Sequence, residues 1–462
     1  MKHFEIAVYG LGIMGSSLAK NLVGKGFSTA LFGKSLEERE RFQTKGDFAI
    51  FPSEEEMVNA LKRPRVIFMM VTAGKAVDEV IHTLVPLLEE GDILIDGGNS
   101  HFKDTQRRYH MLLKIGVEFL GVGVSGGERG ALRGPSIMVG GSKKAWDSCG
   151  TILQKIAARI GDEYCCNYLG KEGAGHYVKM VHNGIEYAMI QLIADYYSVM
   201  KKGLGLSHSE IAELFAHWKN TELNSYLIEI TASVLVKKDE DGEPLVEKIL
   251  DVAQQKGTGS WTLEEAIAKG VYTPTICEAV FTRNFSQDVQ LRKKGAQVLK
   301  ATINIVQLEG YEEKLRNALY LSMIISYAQG IALIEKASRE YGWEIDLPLA
   351  VSLWREGCII RSELLKDIVK ALKESGKNIL LSQSFGDLEK GEKALRKISA
   401  KAIEAGIAVP TLLSVISYYD SSRTEKMNVN IVQGLRDCFG AHTYERTDKE
   451  GRFHTVWMEG EE

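Results

Sequence analysis

A buried strand running straight into a glycine turn and helix, a strand–helix alternation over the first third, and a near loss of strand signals beyond Gly173 together predict the fold class. It is an α/β Rossmann-like N-terminal domain, then a large all-α domain and a C-terminal tail. The expected segments are 1–172, 173–430 and 431–462, because 462 residues exceed what one compact core accommodates.

Phe4–Tyr9 reads as the first strand, and Gly10-Leu11-Gly12-Ile13-Met14-Gly15 opens a helix over Ser16–Lys25. Gly10 makes the tight turn, Gly12 lets the backbone approach a pyrophosphate, and Gly15 lets helix and strand pack closely. Further strands are expected near Ser28–Phe32, Phe48–Phe51, Val66–Val71, Ile93–Ile95 and Val117–Leu120. A dinucleotide domain selective for NAD places Asp or Glu at the end of the second strand, whereas this chain has Phe32-Gly33-Lys34-Ser35. A cation and a hydroxyl there suit a 2′-phosphate, so NADP is the cofactor expected. Two glycine loops, Asp96-Gly-Gly-Asn99-Ser100 and Ser125-Gly126-Gly127-Glu128, should meet at the crevice, where Asn99 and Ser125 can hydrogen-bond a ligand.

The next stretch, Gly173–Tyr187, reads as a buried helix. Lys179, His182, Asn183, Glu186 and Tyr187 share one face, with Met180, Val181, Ile185 and Ala188 on the other. Each buried polar group costs about 1–3 kcal/mol if unpaired, so the five face either one another or a polar ligand. Lys179 and Glu186 stand about 10 Å apart along the axis, a span long side chains can close around a small molecule. An internal Lys–Glu–His network is the other reading of the same spacing.

Helical patterns continue through Ile211–Trp218, Leu245–Gln255, Thr262–Ala268, Gly295–Gln307, Lys314–Glu340 and Leu364–Ile379. Before the third of these, Lys256-Gly257-Thr258-Gly259-Ser260 offers backbone N–H groups, a hydroxyl and an ammonium to a phosphate, and Arg283 can add a bidentate clamp. A helix cap and a surface arginine explain the same residues. The last thirty residues mix aromatics and charges with little helical period, so they either fray or dock, and their aromatics favour docking, with a second subunit as the candidate surface.

The composition narrows the partners. A formal net charge of -4 offers no basic surface for nucleic acid or a membrane. Six cysteines without a Cys-x-x-Cys pair indicate neither a zinc site nor a disulfide framework, so a cytoplasmic setting and no metal are expected. No apolar leader and no uninterrupted 18-residue apolar run occurs.

Lys179-Met-Val-His182-Asn183-Gly-Ile-Glu186-Tyr187, with the loops above and the tail Phe439-Gly-Ala-His442-Thr-Tyr444, closely resembles the 6-phosphogluconate dehydrogenase family over essentially the whole chain. The resemblance implies NADP-dependent, metal-free oxidative decarboxylation of 6-phosphogluconate to ribulose 5-phosphate in the oxidative pentose phosphate pathway. It implies Lys179 as general base and Glu186 as general acid, with Asn99, Ser125, Gly126, Gly127, His182 and Asn183 holding the sugar acid. Tyr187, Lys256, Thr258 and Arg283 would bind its phosphate, joined by Arg436 and His442 from the partner of a homodimer. Gly10–Gly15, Gly33, Lys34, Ser35, Val71, Thr72, Ala73 and Asn99 would hold the cofactor.

This chain departs from the family pattern twice. Gly33-Lys34-Ser35 stands where Asn-Arg-Ser or Asn-Arg-Thr is usual, and Val71-Thr72-Ala73-Gly74 where Val-Lys-Ala-Gly is usual. Lysine stacks and chelates less well than arginine, and Thr72 brings no charge. Two other readings fit the residues: a related 3-hydroxyacid dehydrogenase acting on another substrate, and a non-catalytic nucleotide sensor on the same fold.

Overall fold

A computed structural model describes residues 3–40, 48–255, 257–300 and 303–458. One eight-stranded sheet fills the first 170 residues. Its strands are β1 (Ile6–Tyr9), β2 (Thr29–Phe32), β3 (Phe48–Ile50), β4 (Val66–Met69), β5 (Ile93–Asp96), β6 (Glu118–Ser125), β7 (Ser136–Gly141) and the Cys166–Gly170 strand. They lie in the order β3-β2-β1-β4-β5-β6-β7 and then Cys166–Gly170. Pairing is parallel from β3 through to β6, antiparallel between β6 and β7, and parallel again at the last pair.

Period-2 alternation supplies two cores, one on each side of the sheet. Ile6, Val8, Phe68, Ile95 and Val122 enter the core on one face, and Ala7, Tyr9, Ile67, Met69 and Leu94 the core on the other. The order reverses between β1 and β4, so their carboxyl ends open a crevice of the kind that binds dinucleotides in this topology.

Beyond Gly173 the protein is largely helical, built around Ala174–Ser198 and Tyr311–Tyr341, whose apolar side chains share one core. Tyr311–Tyr341 is long and apolar enough to cross a membrane, but its apolar window is 83% buried within the protein, as befits a core helix. A joint of glycines seats Ala174–Ser198 on the sheet. A Cβ on Gly175 would lie 2.5 Å from Gly140 N, 2.5 Å from Met138 O and 2.6 Å from Gly121 O. Backbone therefore rests on backbone, and the helix enters the domain boundary at fixed depth.

Several expected segments come out differently. Of the helix expected over Leu245–Gln255 only the short turn Leu245–Lys248 forms. The Gly295–Gln307 helix is instead Val289–Leu299. Ser125 is the last residue of β6 rather than a loop residue, and Gly127 already begins the short helix Gly127–Arg133. The tail carries a regular helix, Val429–Gly440, and a small hairpin pairing Tyr444–Glu445 with Arg452–Phe453. Its organising centre is a single buried anion, because Asp437 is 0% exposed. The Asp437 carboxylate accepts hydrogen bonds from Thr443 N, Thr455 N and Trp457 Nε1 and lies 3.0 Å from His454 Nδ1.

Candidate active site

Lys179 projects from the second turn of the Ala174–Ser198 helix directly over Gly123 of β6, where any Cβ would overlap the Lys179 side chain. Its Nζ donates to Asn183 Oδ1 at 2.7 Å and lies 3.4 Å from His182 Nδ1. His182 Nδ1 is also 3.2 Å from Asn183 Oδ1, while His182 Nε2 is 3.3 Å from Ser125 Oγ. A proton on Nδ1 satisfies both contacts, with Nδ1 donating to Asn183 and Nε2 accepting from Ser125. Trp354, fully buried, holds the imidazole edge-on at 5.7 Å between ring centres. Glu186 Oε2 stands 3.8 Å from His182 Nδ1. One helix face and the end of β6 thus bring together Lys179, His182, Asn183, Glu186 and Ser125.

Burial dominates the electrostatics. It pulls the Lys179 ammonium below the ordinary lysine range, with the Glu186 and Cys358 charges opposing. It drives His182 well down, helped by the Lys179 charge, so the imidazole is neutral and its contact with Glu186 is a polar contact rather than an ion pair. Burial also raises the Glu186 carboxyl, against the opposing charges of Lys179 and Arg283. A structural ion network would keep both ends charged. Here desolvation moves the pair toward an uncharged amine and a protonated carboxyl.

One turn further along, Tyr187 lies under Arg283, whose guanidinium carbon sits 3.4 Å from the ring centre. The helix Thr258–Lys269 closes on the same ring, since a Cβ on Gly259 would be 2.5 Å from Tyr187 Cε2. Thr262 Oγ1 donates to Met180 O and Thr258 O, and its side chain fills the space left by Gly184. Arg283 and the start of the Thr258–Lys269 helix thus meet at Tyr187, while Lys256 lies outside the described residues. Arg436 and His442 do not join them within this chain. Both are exposed, Arg436 donates to Gln433 Oε1, and His442 packs edge-on to Phe439.

The nucleotide crevice has the geometry the glycines require. Gly10 turns at φ +97°, and a Cβ on it would lie 2.6 Å from Met70 O. Gly12, in contrast, faces open space at the N-terminus of the helix Ile13–Gly24, with no side chain capping its N–H groups. That opening fits a pyrophosphate on backbone donors. Val71 closes against Gly10 and Gly98, while Thr72 and Asn99 stand exposed at the rim.

Other supports left no recognisable spacing in the sequence. Arg108, fully buried, donates to Gly74 O at 2.9 Å and pairs with Asp78 at 2.8 Å and Asp96 at 3.3 Å, tying the Val71–Gly74 loop to β5. Asp96 in turn accepts from Gly98 N and Ser100 Oγ, fixing the turn that carries Asn99. Gly357, at φ +70°, brings its carbonyl onto Gly126 and accepts from Ser136 N at 2.9 Å, so a distant segment braces the Ser125–Gly127 turn. The sole signal at that segment is a Gly beside Trp354 and Cys358, which the sequence gives no reason to connect with β6.

Fold and site together define a dinucleotide-dependent dehydrogenase in which an α/β domain meets a helix face carrying Lys179, His182, Asn183 and Glu186. The family model for the NAD binding domain of 6-phosphogluconate dehydrogenase matches residues 5–170, and that for the 6-phosphogluconate dehydrogenase C-terminal domain matches 175–457. The NADP(+)-dependent decarboxylating 6-phosphogluconate dehydrogenase of Bacillus subtilis is 47% identical over 99% of this chain and 100% of its own. The NAD(+)-dependent one of the same organism is 46% identical over 98% and 99%. The 6-phosphogluconate dehydrogenase structure from Plasmodium falciparum, described with NADP+ and with 6-phosphogluconate, superposes with a TM-score of 0.94 at 39% identity, covering 98% of this chain and 100% of that one. The chain belongs to the 6-phosphogluconate dehydrogenase family.

Proposed function

We propose that this protein oxidatively decarboxylates 6-phosphogluconate to ribulose 5-phosphate and CO2, with Lys179 as general base and Glu186 as general acid. The observation that carries the reading is the pairing, on one helix face, of a buried lysine drawn toward its neutral form with a half-buried carboxyl drawn toward its protonated one. The glycine turn at the crevice would hold a nicotinamide nucleotide, which when bound would supply the acceptor for the hydride from C3 of the substrate.

Lys179 takes the C3 hydroxyl proton as that hydride leaves, and the O–H electrons become the C3 carbonyl. The ammonium so formed faces the developing enolate oxygen while the carboxylate departs as CO2. Glu186 then gives its proton to C1 of the enediolate, which becomes the ketone, and ends as a carboxylate. Asn183 holds the Lys179 amine in line, and neutral His182 with Ser125 hydrogen-bonds the sugar acid without adding charge. The reading also assigns Asn99 and the Gly126–Gly127 turn to the sugar acid.

Tyr187, Thr258 and Arg283 form the phosphate end, with Lys256 assigned to it from its sequence position. Arg436 and His442 complete that end from the partner of a homodimer. The reading is supported by their exposure and by the tail's exposed apolar side chains, Phe439 at 74% and Val456 at 76%. NADP is the oxidant this reading assigns, on the strength of Lys34 and Ser35.

The test is absorbance at 340 nm with 6-phosphogluconate and either nucleotide, with CO2 measured in parallel. Reduction with stoichiometric CO2 supports the proposal. No reduction with either nucleotide overturns it.

A further inference from the structure

The end of β2 lacks the side chain that usually meets the adenosine ribose, and another residue has taken its place. Gly33 follows Phe32 with no Cβ. An added one would lie 2.9 Å from Glu38 Cβ, 3.1 Å from Glu38 Oε2 and 3.3 Å from Leu11 Cδ1. Leu11 belongs to the glycine turn, so the Glu38 carboxylate stands between that turn and the end of β2. Glu38 is placed there by the short helix Leu36–Glu40, where its backbone N–H donates to Ser35 Oγ at 3.1 Å. Ser35 Oγ is the acceptor in that cap, and its O–H can still donate to a nucleotide. Among the described residues no hydrogen bond or ion pair holds the Glu38 carboxylate, and Lys34 beside it is exposed.

In a doubly wound dinucleotide fold, a carboxylate at this point accepts hydrogen bonds from ribose hydroxyls and repels a 2′-phosphate. Glu38 comes from five residues beyond the usual position, and the missing side chain at Gly33 gives it room. We propose that Glu38 is the residue that sets nucleotide selectivity, binding the ribose diol of NAD and opposing the 2′-phosphate of NADP against the pull of Lys34. The inference rests on the nucleotide-binding reading of the crevice and assigns the determinant within it. It makes NAD a competent second oxidant despite the absence of an acidic residue at position 33.

The test is direct binding, by calorimetry, of NAD+ and NADP+ to the wild-type protein and to Glu38→Gln, with Glu38→Ala as the second variant and Tm as the check on folding. The Gln variant keeps the volume and removes the charge. It is expected to tighten NADP+ about tenfold and to weaken NAD+ severalfold, as removal of a like charge beside a phosphate requires. Lys34→Ala is expected to weaken NADP+ alone. A ratio of the two dissociation constants that stays within about twofold of wild type in both Glu38 variants overturns the inference while leaving the crevice reading intact. Failure of the wild-type protein to bind either nucleotide overturns both.

Discussion

Asn183→Asp is the sharpest perturbation of the proposed base. It replaces the amide oxygen 2.7 Å from Lys179 Nζ by a carboxylate oxygen of the same size. At that separation an effective dielectric of about 20 gives an attraction of about 6 kcal/mol, or about four pH units before the site relaxes. The sign follows from the chemistry: a carboxylate favours the ammonium, so it raises the Lys179 pKa that burial has lowered. A base must be uncharged to take the C3 hydroxyl proton, so activity rises with pH through that pKa. The acid limb of the kcat/KM profile should therefore move up by at least about one unit, with activity partly recovered at high pH. The assay is initial rate by absorbance at 340 nm across pH, with Tm recorded for each sample. An acid limb that stays in place or moves down, in a folded variant, would refute Lys179 as the titrating base.

Gly123→Ala puts a methyl group into the Lys179 side chain, and a displacement of the base of about 1 Å should cost about a hundredfold in kcat while NADP+ binding persists. Tyr187→Leu removes the ring under Arg283; losing a cation–π contact of about 0.5–2 kcal/mol should raise KM for 6-phosphogluconate about two- to thirtyfold, with kcat little changed. Asp437→Asn exchanges a buried carboxylate, held down to about 2 by its hydrogen bonds against burial, for an amide with one acceptor oxygen. The tail that carries Arg436 and His442 should loosen, seen as a change in Trp457 fluorescence and a rise in substrate KM, and an unchanged KM would separate the tail from the phosphate site.

Legibility followed the local character of each signal. The glycine turn and the polar helix face are readable because their spacing is set by one turn or one helix: Gly10, Gly12 and Gly15 by the strand–helix junction, Lys179 to Tyr187 by the helical repeat. The supports were not, since they depend on partners far apart in sequence. Gly121, Gly123 and Gly140 look like poor strand residues until Gly175 and Lys179 are seen to rest on them. Arg108 looks like any helix-surface arginine, and only the approach of Asp78, Gly74 and Asp96 buries it. In the tail, the helix Val429–Gly440 carries Ile431, Val432, Leu435 and Phe439 on one face, but that face is exposed and short, so the surrounding charges and aromatics obscure its period. Glu38 gives no signal in the sequence because the rule for nucleotide choice looks to the end of the second strand, and that position is a glycine, so its proposed role rests on the structure alone.

The division of labour between the two ends of the helix face is tested most directly by single-turnover absorbance at 340 nm on Lys179→Ala and Glu186→Gln, each saturated with nucleotide and 6-phosphogluconate. Lys179→Ala is expected to give no burst of reduced nucleotide although the nucleotide still binds. Glu186→Gln is expected to give a burst and release CO2, then turn over slowly because C1 is not protonated. A full burst from Lys179→Ala would contradict the assignment of the base, and unimpaired steady-state turnover by Glu186→Gln that of the acid.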